Sequence, residues 1–123
     1  MSPTPTPSRV IVIFSTKGGT GKTVVATNLA VSLSQLGAPT VLLDCDGFAM
    51  GDMASMLHLT PQHSIVDLGL QMEQGQPMQV AAITRALTKH ATGVEFLPLI
   101  RGAGQMAHIK TQWFKPLIAA LRE

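Results

Sequence analysis

Ser15-Thr16-Lys17-Gly18-Gly19-Thr20-Gly21-Lys22-Thr23 decides how this chain is read. An apolar run, Val10 to Phe14, precedes it, and a helical pattern, Thr23 to Leu36, follows. Strand, glycine-rich turn and helix in that order make a cradle for phosphate. Glycines at 18, 19 and 21 let the backbone curl and turn its N–H groups inward. Lys22 adds a positive charge, and the Thr23 hydroxyl can face a magnesium ion.

The general pattern G-x-x-x-x-G-K-S/T is not met, because its first glycine would fall on Thr16. What stands there is a second lysine, Lys17, followed by Gly18-Gly19-Thr20-Gly21-Lys22-Thr23. This is the deviant Walker A arrangement, and on it the chain resembles the ParA/MinD superfamily of P-loop ATPases. The resemblance implies an α/β fold: a P-loop NTPase-like parallel sheet with flanking helices. It implies MgATP as ligand, held by residues 17 to 23. Lys22 would contact the β- and γ-oxygens and Thr23 would bind the metal. Lys17 would reach across an ATP-dependent homodimer to the partner's nucleotide.

Composition narrows the alternatives. The chain has 123 residues, 46% of them apolar and only 13% charged. Soluble domains carry about 25% charged residues, so this one is short of polar surface. It buries much of itself in a two-faced sheet or covers an apolar face with something else. No run approaches the ~18 apolar residues of a membrane span. No basic-then-apolar leader opens the chain, which reads as cytoplasmic. The single cysteine, Cys45, excludes an internal disulfide, and the four scattered histidines form no zinc spacing. A net charge of +2 without a basic stripe gives no nucleic-acid signature.

Residues 1 to 8, MSPTPTPS, read as an extended linker from something upstream or as a disordered tail. Residues 9 to 123 read as the domain proper. Val10 to Phe14 suits a parallel strand buried on both faces. Val25, Leu29, Leu33 and Leu36 form one helical stripe, which Gly37 stops. Val41-Leu42-Leu43 is a second buried strand, and it ends in Asp44-Cys45-Asp46. Acids at the carboxyl end of a parallel strand stand on the rim where open α/β sheets bind ligands. They serve there to manage a metal or a water, or else simply cap the next turn. The resemblance favours the first reading, since ParA/MinD-type proteins carry Asp-x-Asp in this switch I segment. Asp46 would then position the attacking water and Asp44 would lie near the magnesium shell.

Further on, Asp52 heads a short helix through Leu57, with Met50, Met53, Met56 and Leu57 on one side as core or as a partner contact. Ser64 caps a helix to Leu70, and Gln71 to Pro77 is a loop. Met78 to His90 is a helix with Val80, Ile83, Ala86 and Leu87 inward, and Lys89 and His90 at its C-terminal end. Val94 to Leu99 is a third strand limited by Pro98. Arg101-Gly102-Ala103-Gly104 is read as a simple loop in preference to a second phosphate site. Trp113 to Leu121 is a last helix with Pro116 in its first turn.

The segments LTPQHSIVDL (59 to 68) and VEFLP (94 to 98) resemble the TadZ/CpaE pilus-assembly branch, which implies a pilus or secretion-machinery partner and recruitment to a membrane-associated complex. Family members run to about twice this length, so the expectation is the first half of an ATPase domain, truncated before the Walker B strand. That strand would lie between the strands at 10–14 and 41–43, and its loss would leave a gap. Val24 departs from the Thr or Ser many members carry there. Three functions stay open: an ATPase half, a nucleotide-binding scaffold without turnover, and a P-loop synthetase of the dethiobiotin or cobyrinate type.

Overall fold

The computed structural model describes residues 8–13, 21–46 and 52–122. Expectations for Met1 to Pro7, for Lys17 to Thr20 and for Met50 lie outside the described residues.

Among the described residues three strands, β1 (Val41–Asp44), β2 (Thr88–Lys89) and β3 (Glu95–Pro98), form a sheet in the order β1-β3-β2. β1 and β3 are parallel, with Leu42 opposite Phe96 and Asp44 opposite Pro98. Five helices among the described residues accompany them: α1 (Lys22–Gln35), α2 (Asp52–Met56), α3 (Ile65–Glu73), α4 (Val80–Ala86) and α5 (Phe114–Leu121). Two 3₁₀ turns, Ala103–His108 and Thr111–Trp113, join β3 to α5.

Strand alternation sends neighbours to opposite faces, and the core divides accordingly. Phe96 and Leu42 meet Ala26 and Ala30 of α1 and Met53 of α2 on one face. Leu97 meets Ile65, Ile83, Trp113 and Leu117 on the other. The sheet is therefore covered on both sides, as parallel strands require. Phe96, Leu97, Trp113 and Leu117 have no exposed surface, and each large apolar side chain so buried contributes about 1.5–3 kcal/mol.

Local signals explain the ends of the elements. Gly37 (φ 91°) closes α1: its N–H bonds to Ser34 O at 3.0 Å, and Ala38 N–H to Leu33 O at 3.1 Å. That paired closure needs a left-handed residue just past the helix. Ser64 heads α3, its hydroxyl accepting the Asp67 N–H while the Asp67 carboxylate accepts the Ser64 N–H. Pro116 falls in the first turn of α5, where its missing N–H costs nothing.

Several expectations are corrected. Residues 10–13 make no strand, and Val10, Ile11 and Val12 are 50%, 58% and 74% exposed. A strand exists only through its neighbours, and none of the described strands pairs with this stretch. The buried face of α1 is Ala26, Thr27 and Ala30; Val25 and Leu36 of the expected stripe are exposed. Small side chains let the helix approach Phe96 closely, and that contact outranks the bulkier stripe. The helix expected over 78–90 is shorter, because Thr88 and Lys89 pair antiparallel with β3. Lys89 and His90 thus belong to a hairpin, closed by His90 N–H to Val94 O at 2.8 Å. α3 continues to Glu73, into the segment read as loop. In the methionine stripe Met53 and Leu57 are buried, while Met56 is 43% exposed.

Candidate functional site

Lys22 and Thr23 are the first two residues of the 14-residue helix α1. Gly21 precedes them in the left-handed conformation (φ 83°, ψ 12°), with nothing within 4 Å of where a side chain would begin. The first N–H groups of a helix have no partner within it, and the aligned peptide dipoles make this end positive. No acidic residue stands in the first turn of α1, and its N-cap residue, Gly21, has no side chain to cap it.

The carboxyl end of β1 faces this helix start. Lys22 Nζ lies 2.7 Å from Asp46 Oδ2, with both side chains about three-quarters buried (28% and 25% exposed). Asp44 is 6% exposed, and its Oδ1 accepts the Asp46 N–H at 3.2 Å. Cys45, between the acids, keeps surface in solvent, yet desolvation of the thiol and then the Asp44 charge push it up to about 11. The structure thus brings Lys22, Asp44 and Asp46 together. Thr23 is half-buried beside Lys22. Lys17, Gly18, Gly19 and Thr20 lie outside the described residues.

A cleft of about 230 Å³ opens beside Asp44, its lining including Ser55, Thr60, Pro98 and Arg101. It occupies the crevice beyond the carboxyl ends of parallel strands. Arg101 is held there by Asp67 of α3: its Nε donates to Oδ2 at 2.6 Å and its Nη2 to Oδ1 at 3.0 Å. Gln105 Nε2 donates to the same carboxylate at 2.9 Å, and Gln105 Oε1 accepts the Arg101 N–H at 2.7 Å. Burial opposes ionisation of Asp67, but the hydrogen bonds from Arg101, Ser64 and Gln105 and the Arg101 charge outweigh it, holding the carboxyl below the ordinary range. The Arg101 guanidinium is therefore engaged with Asp67, and the loop that carries it continues as the first 3₁₀ turn. Ser64-x-x-Asp67 was a readable signal for half of this cluster, since that spacing is a capping box. Gln105 carried no signal at all.

Among the described residues no three His, Cys, Asp or Glu side chains converge as a metal site. No helix among them is long and apolar enough to cross a membrane.

A family model described as ParA, an iron-transfer P-loop NTPase of the NUBPL kind, matches residues 6–113. The chain belongs to the ParA/MinD family of P-loop NTPases. The antiactivator FleN of Pseudomonas aeruginosa is 31% identical over 117 residues, covering 95% of this chain and 39% of FleN. A putative septum site-determining protein MinD of Guillardia theta is 54% identical over 39 residues, 32% of this chain and 14% of that protein. An iron-sulfur cluster carrier protein of Aquifex aeolicus is 60% identical over 37 residues, 30% of this chain and 10% of the carrier. The chain spans well under half the length of these curated relatives. Family membership supports nucleotide binding as the shared property, and the described fold is the mixed α/β arrangement the family requires.

Proposed function

We propose that residues 9–123 are the N-terminal half of a ParA/MinD-type ATPase domain that binds MgATP, with residues 1–8 as a linker. The observation that carries this reading is Lys22 at the positive N-terminal end of α1, after a left-handed glycine and 2.7 Å from an acid at the rim of β1. Residues 17 to 23 wrap the phosphates, with Lys22 on the β- and γ-oxygens. The oxygens of Thr23 and Asp44 are hard donors that fit Mg²⁺, which takes its remaining ligands from phosphate and water. A bound Mg²⁺ supplies charge neutralisation to the phosphate oxygens. Asp46 positions the water, and Lys17 reaches the partner's nucleotide in a face-to-face homodimer.

The output we assign is an ATP-dependent dimer switch that positions a pilus or secretion machine, in the manner of the TadZ/CpaE branch, from the cytoplasm and at a membrane-associated complex. The support is the resemblance of residues 59–68 and 94–98 to that branch. Iron-sulfur carriage is the trade of some relatives by name. These residues do not favour it, because they offer a single thiol, Cys45.

Calorimetric titration of ATP with Mg²⁺ into wild type and Lys22→Ala tests the cradle. Binding should weaken at least about tenfold in the variant, the order of a lost charge-assisted contact. Equal binding by both, or none by either, would reject it. Sizing with and without ATP, for wild type and Lys17→Ala, tests the dimer.

A further inference from the structure

The Lys22–Asp46 pair is built rather than accidental. Asp46 follows directly from β1, and its backbone N–H is held by Asp44, a carboxylate 6% exposed at the end of the sheet. Lys22 is fixed from the other side as the first residue of α1. Rigid supports thus aim the two charges at each other, at 2.7 Å and largely out of water. At such a place the attraction exceeds that of a surface pair, and so does the repulsion between like charges.

A polyphosphate entering the cradle brings several negative charges to the same ammonium. Two anions sharing one lysine at this range repel each other, and the ligand carries more charge than one carboxylate. We propose that Asp46 is an internal competitor for the phosphate ligand: it holds Lys22 as counter-ion and yields it to a polyphosphate. Asp46 therefore lowers the affinity of the site and makes it depend on ligand charge. Once Lys22 is taken up by the ligand, Asp46 is no longer its counter-ion, so the counter-ion role and the water-positioning role are successive. This inference rests on the cradle reading above.

The test is calorimetric titration of ATP with Mg²⁺ into the full chain, for wild type, Asp46→Asn, Asp46→Ser, Lys22→Met and the Asp46→Asn/Lys22→Met double variant, each checked for fold by circular dichroism. Both neutral substitutions at 46 should tighten ATP binding about fivefold, and in the Lys22→Met background Asp46→Asn should change it by less than about twofold. Wild-type binding that neither substitution tightens overturns the competition alone. Tightening that persists without Lys22 overturns it as well, because the effect would then be general repulsion of the ligand. A wild type that takes up no ATP removes the cradle reading and this inference together.

Discussion

Gly69 of α3 lies against the face of the Trp113 indole, so closely that a Cβ at 69 would sit 2.1 Å from Cδ2 and 2.3 Å from Cε2 of the ring. Trp113 is fully buried, and its Nε1–H has no acceptor among the described residues, so packing alone holds the ring there. A glycine inside a helix costs about 1 kcal/mol relative to alanine, and here it is retained for the close approach it allows. Gly69→Ala should therefore destabilise the chain despite better helix propensity. Neither partner is a flexible side-chain end, so the net loss should be about 2 kcal/mol or more, read as a lower urea midpoint. A gain in stability would show that the indole can move aside.

Asp67 should make stability depend on pH in the acid range. Its folded-state pKa lies below the ordinary value of 3.8, so its contribution is present above that value and disappears as pH falls through the folded pKa. Asp67→Asn removes the carboxylate that takes the Ser64 N–H and the Arg101 fork, and should cost about 1–2 kcal/mol near neutral pH. Urea midpoints of wild type and variant should converge on acidification. A gap constant from neutral pH into the acid limb would contradict the charged role.

Cys45 should be sluggish towards alkylating reagents. With its thiol pushed up to about 11 from 9.0, the thiolate near neutral pH is roughly a hundredth of an ordinary cysteine's. Mass-spectrometric timing of iodoacetamide labelling should show a rate well below that of a free thiol, rising steeply at alkaline pH. Asp44→Asn should speed it in part, because burial is the larger cause and remains. A rate equal to that of a free thiol would place the sulfur in solvent.

Ser34 joins the last turn of α1 to the hairpin between β2 and β3: its hydroxyl donates to Thr92 O at 2.7 Å. Ser34→Ala leaves that carbonyl without its donor and should cost about 1 kcal/mol in thermal or urea unfolding. No change would mean that solvent replaces the bond.

Much of the fold is legible in the sequence, and for a local reason. Ser64 before an apolar helix, Gly37 after one and Asp44 closing an apolar run act through bonds a few residues long, and each stands where its chemistry puts it. Non-local choices were not legible. Thr88 and Lys89 continue a helical pattern until β3 offers them a ladder. Val10 to Val12 have the composition of a buried strand and remain exposed, because no described strand stands beside them.

The same division holds at the candidate site. The sequence by itself determined the family, through Lys17 to Thr23 and the acids at 44 and 46, because a phosphate loop is written in consecutive residues. Only the tertiary structure decided that Asp46 rests on Lys22, that Arg101 is tied to Asp67, and that Trp113 needs a glycine at 69. Each of these joins residues some 20 to 45 positions apart, and short-range pattern says nothing of such pairs. Two elements meet at a point fixed by the packing of everything between them.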